Sequence, residues 1–155
     1  MTDRDIAKLH GVHGSLAARI EQIFDAMRVL GFEMMVTDTG GVRTTEQQQA
    51  LYAKGRTAPG PKVTNADGLI KKSNHQPHAD GLGHAVDMTF MDQHGTPLDF
   101  ADDTPSWDER KFPFLLYGHM AKALGAKWGG DWGSLHDLPH VELPDGVPGT
   151  GASHA

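Results

Sequence analysis

The stretch WGGDWGSLHDLPHVEL, residues 128 to 143, crowds two tryptophans, three acids and two histidines into sixteen positions. Its centre, HDLPH, superficially matches the helical zinc motif in which two imidazoles one turn apart face one metal. Pro139 argues against a helix. A proline inside one forfeits a hydrogen bond and clashes with the preceding turn, and Leu138 before it is driven toward extended geometry. The segment therefore reads as a turn entering a short strand, HVEL, with His140 at the strand's start and Asp137 on the turn. There His140 can ligate a metal while Asp137 stands near enough to take a proton from water on that metal. His136 then has no required role.

A hydrolytic zinc site uses three protein ligands and one open position. The chain has no cysteine and ten histidines, so a metal must be held by nitrogen and oxygen. Asp87 is the second candidate, because it lies within GHAVDMTF, which alternates like a half-buried strand. An unpaired carboxylate there costs several kcal/mol unless its charge is compensated, and a metal ion would do so. Parity places Ala85, Asp87 and Thr89 on one face and His84, Val86 and Met88 on the other, which makes His84 a poor co-ligand. The third ligand is expected from SNHQPH just upstream, which offers His75 and His78.

The elements around these residues read as one domain of 155 residues with 38% hydrophobic content, enough for a real core. Residues 1 to 144 form the domain and 145 to 155, DGVPGTGASHA, a flexible tail too poor in apolar residues to order itself. After Ser15 as N-cap, LAARIEQIFDAMRVLGF sets Leu16, Ile20, Ile23, Phe24, Met27 and Leu30 on one helical stripe that Gly31 ends. FEMMVTDTG reads as a strand. TTEQQQALYAKG reads as a helix capped by Thr44 or Thr45 and closed by Gly55. Arg56 to Leu82 has no sustained period, and a loop of that length is functional or disordered. SWDERKFPFLLYGHMAKALG reads as a third helix interrupted near Pro113. This irregular order of helices and strands is α+β, not a βαβ repeat. A net charge of −6 makes a grip on nucleic acid phosphates or anionic lipid unfavourable. No apolar run approaches the roughly 20 residues that cross a bilayer, and MTDRDIAKLHG lacks a signal-peptide layout. The expectation is a chain made in the cytoplasm, without membrane insertion.

The series GVRTTEQQQALYAKGRTAPGPKVTNADG, SNHQ, GLGHAVDM and HDLPHVEL, in that order from about residue 41 to 143, resembles the zinc D-peptidases. That family includes D-alanyl-D-alanine carboxypeptidases and dipeptidases and phage endolysins that cut the L-alanyl-D-glutamate bond. The resemblance implies a compact hedgehog-like domain with helices packed on a small antiparallel sheet. It implies one zinc ion on His75, Asp87 and His140, with Asp137 as general base. Arg43 of GVRT matches an arginine near the substrate, suited to stabilising an oxyanion because it stays charged and offers several donors. Ser73 matches a substrate contact, and Trp128 and Trp132 are expected to shape the cleft. One departure stands out. The usual histidine lies seven residues before the aspartate; that position is Asp80 here, and His75 is twelve away. QPHADGL reads as an insertion, with His78 the competing ligand.

The implied activity is hydrolysis of a peptide bond in a peptidoglycan stem peptide by a monomer. LYAKGRTAPGPKVTNADG looks most like the L-alanyl-D-glutamate endopeptidases, and the lack of a signal peptide suits a phage lysin acting on the wall after release, in the host periplasm. A D-alanyl-D-alanine carboxypeptidase is the alternative. A non-catalytic module binding wall peptide or a protein on the same fold is the alternative of another class.

Overall fold

The computed structural model describes residues 1–92, 94–96 and 113–146. Among the described residues, four α-helices, α1 (Asp3–Lys8), α2 (Gly14–Val29), α3 (Thr45–Ala53) and α4 (Phe114–Ala123), accompany four strands, β1 (Met34–Val36), β2 (Ala85–Phe90), β3 (Lys127–Trp128) and β4 (His140–Glu142). The strands form one sheet in the order β1-β2-β4-β3, with every pair antiparallel. The α+β expectation holds.

The predicted stripe of α2 supplies the core. Leu16, Ile20, Ile23, Phe24 and Met27 are buried against Val86, Met88 and Phe90 of β2 and Phe114, Tyr117 and Ala121 of α4. Each such side chain contributes roughly 1.5–3 kcal/mol relative to exposure. Two details of the sequence reading are corrected. Leu30 is 52% exposed, because it lies one residue past the helix, where the chain turns through Gly31 at φ +88°. The N-cap is His13, whose Nδ1 accepts from Ser15 N at 3.2 Å, so Ser15 sits inside the first turn.

α3 is capped by Thr44, with Gln47 completing a capping box. Strand β2 is buried along its whole length, not half-buried as its alternation suggested. Its even residues meet the core, and its odd residues lie under the loops that build the site.

Two elements were not anticipated. In α1 a Thr2–Asp5 capping box sets the start, and the buried Asp5 carboxylate accepts from Val36 N at 2.9 Å, tying α1 to β1. In β3, Trp128 packs its ring onto Gly118 of α4 so closely that any Cβ at 118 would collide with it. Of the third predicted helix the described part is α4; residues 106–112 lie outside the described residues, as do 147–155 of the predicted tail. No helix among the described residues is long and apolar enough to cross a membrane.

Candidate metal centre

Strand register creates the centre of the site. Asp87 of β2 pairs directly with His140 of β4, and paired residues project their side chains from the same face. The third member comes from the loop before β2. His75 is fixed there by its own carbonyl, which accepts from Arg43 N at 3.0 Å, and by Asn74 O, which accepts from His84 N at 2.7 Å.

His75 Nε2, Asp87 Oδ1 and His140 Nδ1 form a nearly equilateral triangle with sides of 3.1, 3.2 and 3.0 Å. All three residues are buried. The far ring nitrogens are engaged too: His75 Nδ1 lies 2.9 Å from Gly41 O, and His140 Nε2 lies 2.9 Å from Glu142 Oε2. Those oxygens can only accept. Each imidazole must therefore donate outward, leaving its inner nitrogen's lone pair directed at the Asp87 carboxylate.

Three converging lone pairs need something positive between them. Bonds of about 2.0–2.2 Å to one tetrahedral ion place neighbouring donor atoms roughly 3.3 Å apart, close to the sides observed. The donor set fits a zinc ion. In the metal-free chain a proton on His140 Nδ1 stands in for it. Burial opposes that charge, but the bonds to Asp87 and Glu142 outweigh it and hold the His140 pKa up at about 10. Burial, then the Arg43 charge, pushes His75 down to about 4. Burial disfavours ionised Asp87, but His75 and Arg43 more than reverse this, and it stays well below the usual carboxylate range.

Asp137 lies on the turn that delivers His140. Its carbonyl accepts from His140 N and its N–H donates to Gly129 O, both at 3.1 Å. Gly129 is required there, since a Cβ would strike the Asp137 carbonyl and lie 2.9 Å from His140 Cβ. Tyr117 steadies the same turn through its hydroxyl, which donates to Pro139 O at 2.8 Å. Burial, and then the negative charge of Asp87, raises Asp137 to about 7. That value suits a group that must both take and return a proton near neutral pH.

Arg43 donates to Asp87 Oδ2, to Gln48 Oε1 at 3.3 Å and, from Nε, to Thr39 O at 2.7 Å. Trp132 is half-buried with its ring 4.8 Å from that of His140. Trp128, grouped with it in the sequence reading, is only 5% exposed and donates from Nε1 to Leu138 O at 2.8 Å. It braces the turn from inside the core. Ser73 accepts from His75 N at 3.3 Å, which tightens the turn around the ligand. His78 is not at the centre. Its ring stacks on that of His84 at 3.8 Å, and His84 bonds Asp80 at 2.8 Å. His136 is exposed.

Comparison with known proteins places this arrangement. Residues 70–143 match the peptidase M15 family model described as D-alanyl-D-alanine carboxypeptidase. The chain is 30% identical over 135 residues to the peptidoglycan L-alanyl-D-glutamate endopeptidase CwlK of Bacillus subtilis (strain 168), covering 80% of this chain and 71% of CwlK. The chain belongs to the M15 peptidases. This M15 chain also superposes on the L-Ala D-Glu endopeptidase ChiX of Serratia marcescens with a TM-score of 0.60 and 25% identity, covering 93% of this chain and 89% of ChiX. A Zn(II) complex of a mutant of the D,D-pentapeptidase VanY shares the fold, with a TM-score of 0.54 at 18% identity, covering 85% of this chain and 72% of VanY.

Around the M15 centre stand partners that the sequence reading missed. Glu142 accepts from His140 Nε2 and from Asn74 Nδ2, the latter at 2.7 Å. A signal for Glu142 existed: in His140-Val141-Glu142 the first and third residues of a strand share a face. Gln48, fully buried, carries no such signal, because a helix of low amphipathicity does not announce a glutamine that bonds a distant arginine.

Proposed function

We propose that this M15 peptidase is a zinc-dependent endopeptidase cleaving the L-alanyl-D-glutamate bond of peptidoglycan stem peptides. The observation that carries it is the triangle of His75 Nε2, Asp87 Oδ1 and His140 Nδ1, buried and within 3.2 Å of one another, with Asp137 on the adjoining turn. CwlK and ChiX, both named for this activity, support the choice of bond.

A zinc ion held by His75, Asp87 and His140 would polarise the scissile carbonyl and bring the pKa of water toward neutral. The chain supplies the rest. Asp137 takes the proton as water attacks the carbonyl and returns it to the leaving amine, which gives the two proton transfers one owner. Arg43 orients Asp87 and sets a permanent positive charge near the developing oxyanion. Glu142 keeps His140 in the tautomer that presents Nδ1. Trp132 walls the cleft beside His140, and Ser73 holds the turn that carries His75. The substrate is the stem peptide of the wall, and the lysin-like phrase LYAKGRTAPGPKVTNADG supports a role in phage-borne wall lysis.

Incubation with purified muropeptides, with and without a chelator, tests the reading by mass spectrometry. New L-alanine C-termini that vanish with chelator are expected. Released D-alanine would replace this reading with a carboxypeptidase, the activity the matched family model describes. No cleavage by zinc-loaded protein would overturn both.

A further inference from the structure

The lysines of this acidic chain are unevenly used. Among the described residues, Lys8, Lys122 and Lys127 each pair with a carboxylate. No ion pair is formed within the described residues by Lys54, Lys62, Lys71 or Lys72, and the last three are exposed. These four lie on one lobe, residues 54–72, together with Arg56. The lobe carries five basic residues against one acid, Asp67, in a chain of net charge −6. That acid does not offset them at range: Asp67 Oδ1 accepts from the backbone N–H groups of Leu69, Ile70 and Lys71 at 2.7, 2.8 and 3.1 Å.

The turn so formed pushes apolar side chains into solvent, leaving Leu69 62% and Ile70 95% exposed. They border a groove of about 360 Å³ that runs along α3 past Tyr52 and Arg56. Arg56 covers the Tyr52 ring at 3.9 Å and donates to Tyr52 O and Thr64 O at 2.7 and 3.1 Å. An exposed apolar tip followed directly by two exposed lysines without an ion pair, Lys71 and Lys72, marks an interaction surface.

The lobe is also fastened to the metal centre. Gln48 donates to Ala66 O at 2.9 Å while accepting from Arg43, and Gln76, next to His75, donates to Gly68 O at 3.0 Å. These bonds tie the segment, at Ala66 and Gly68, to the residues that flank His75 and hold Arg43.

We propose that residues 54–72 dock the uncut part of the peptidoglycan polymer, the lysines engaging carboxylates of stem peptides and the groove taking apolar parts of the same strand. The proposal rests on the function proposed above, which makes the ligand of the centre a short piece of a long, carboxylate-bearing polymer. Opposite charge on a flexible, repetitive ligand favours capture and steering of the polymer toward the cleft. The other described lysines, Lys8, Lys122 and Lys127, sit in ion pairs, so the uncompensated lysines fall on this segment.

The zinc-loaded 155-residue chain tests this with Lys62→Glu, Lys71→Glu and Lys72→Glu combined, and separately with Ile70→Ser, all at exposed positions. Co-sedimentation with purified insoluble sacculi should show wild-type binding that weakens between low salt and about 0.3 M, where charges are screened beyond roughly 6 Å. The triple variant should bind at least about tenfold more weakly, and Ile70→Ser should lose affinity without losing salt dependence. The ratio of kcat/KM on sacculi to kcat/KM on a short soluble muropeptide should fall by a similar factor in the triple variant. Equal sedimentation of wild type and triple variant would overturn the proposal. So would a difference confined to phosphatidylglycerol vesicles, which would assign the surface to a membrane. If the wild type leaves the short muropeptide intact while sedimentation still separates the variants, the docking surface stands and the cleavage reading fails.

Discussion

Zinc titrated into the metal-free chain at pH 7 should release about one and a half protons, most of this from His140. At that pH, His140, held up at about 10, carries its proton, whereas His75, pushed down to about 4, is neutral and Asp87 is ionised. The ion must displace the His140 proton, and its charge then draws the remaining half from Asp137, which titrates at about 7 in the metal-free chain. Removing a proton three units below its pKa costs about 4 kcal/mol at about 1.4 per unit, so affinity at pH 7 falls about 10³ below its high-pH limit and climbs about tenfold per pH unit. Isothermal titration in buffers of different ionisation enthalpy counts the protons directly. Glu142→Gln removes the carboxylate that orients the His140 ring and raises its pKa; the lost orientation should lower the high-pH zinc affinity 10–100-fold, while the more easily displaced proton flattens the pH slope. The stability of the metal-free fold carries the same signature. A histidine raised above 6.5 contributes fully below that pH, and the contribution is lost as pH climbs through about 10. Zinc-loaded protein should not show this loss. Release of fewer than about half a proton, or an affinity flat between about pH 6 and 8, would refute the charge assignment.

Three further outcomes are expected. His75→Ala should abolish zinc binding and His78→Ala should retain it, measured by atomic absorption on dialysed protein; the opposite pattern would move the ligand to His78. Asp137→Ala should keep zinc and cut turnover by roughly 10² to 10⁴, the usual contribution of general acid–base catalysis, read in steady-state assays. Gly129→Ala should lower turnover and destabilise the fold by about 1–3 kcal/mol in urea unfolding, because the new methyl displaces the Asp137 carbonyl and the His140 stem together.

Much of this was legible because it rests on short-range rules. The stripe of α2 follows a 3.6-residue period, the α3 start follows a threonine N-cap, and the face assignment within β2 follows strand parity. Parity separated Asp87 from His84, and the structure puts His84 in a stack with His78, away from the centre. What was illegible depends on contacts between distant segments. α1 gains its place through Asp5 and Val36, 31 residues apart. β3 is two residues long and exists because β4 offers an edge. Trp128 could be read as either core or cleft until Gly118 opposite it was known.

The twelve-residue interval between His75 and Asp87 shows most plainly how sequence distance and spatial distance part company. QPHADGL leaves and re-enters at nearly one point, since a Cβ at Gly83 would lie 3.0 Å from His75 O. Gly83 is pinned there, its N–H donating to Gly11 O and its carbonyl accepting from His13 N, both at 2.9 Å. Inside the excursion, His78 N donates to Leu82 O at 2.9 Å and the His78–His84 stack closes it from above. Extending an already closed loop costs little entropy, because the penalty grows only with the logarithm of length. A lengthened interval is therefore absorbed outside the site, provided both ends of the neck stay fixed. The two anchors on either side, Arg43 N to His75 O and His84 N to Asn74 O, meet that condition. Spacing alone would have rejected His75 in favour of a nearer residue. The backbone bonds at the neck are what bring its imidazole against Asp87.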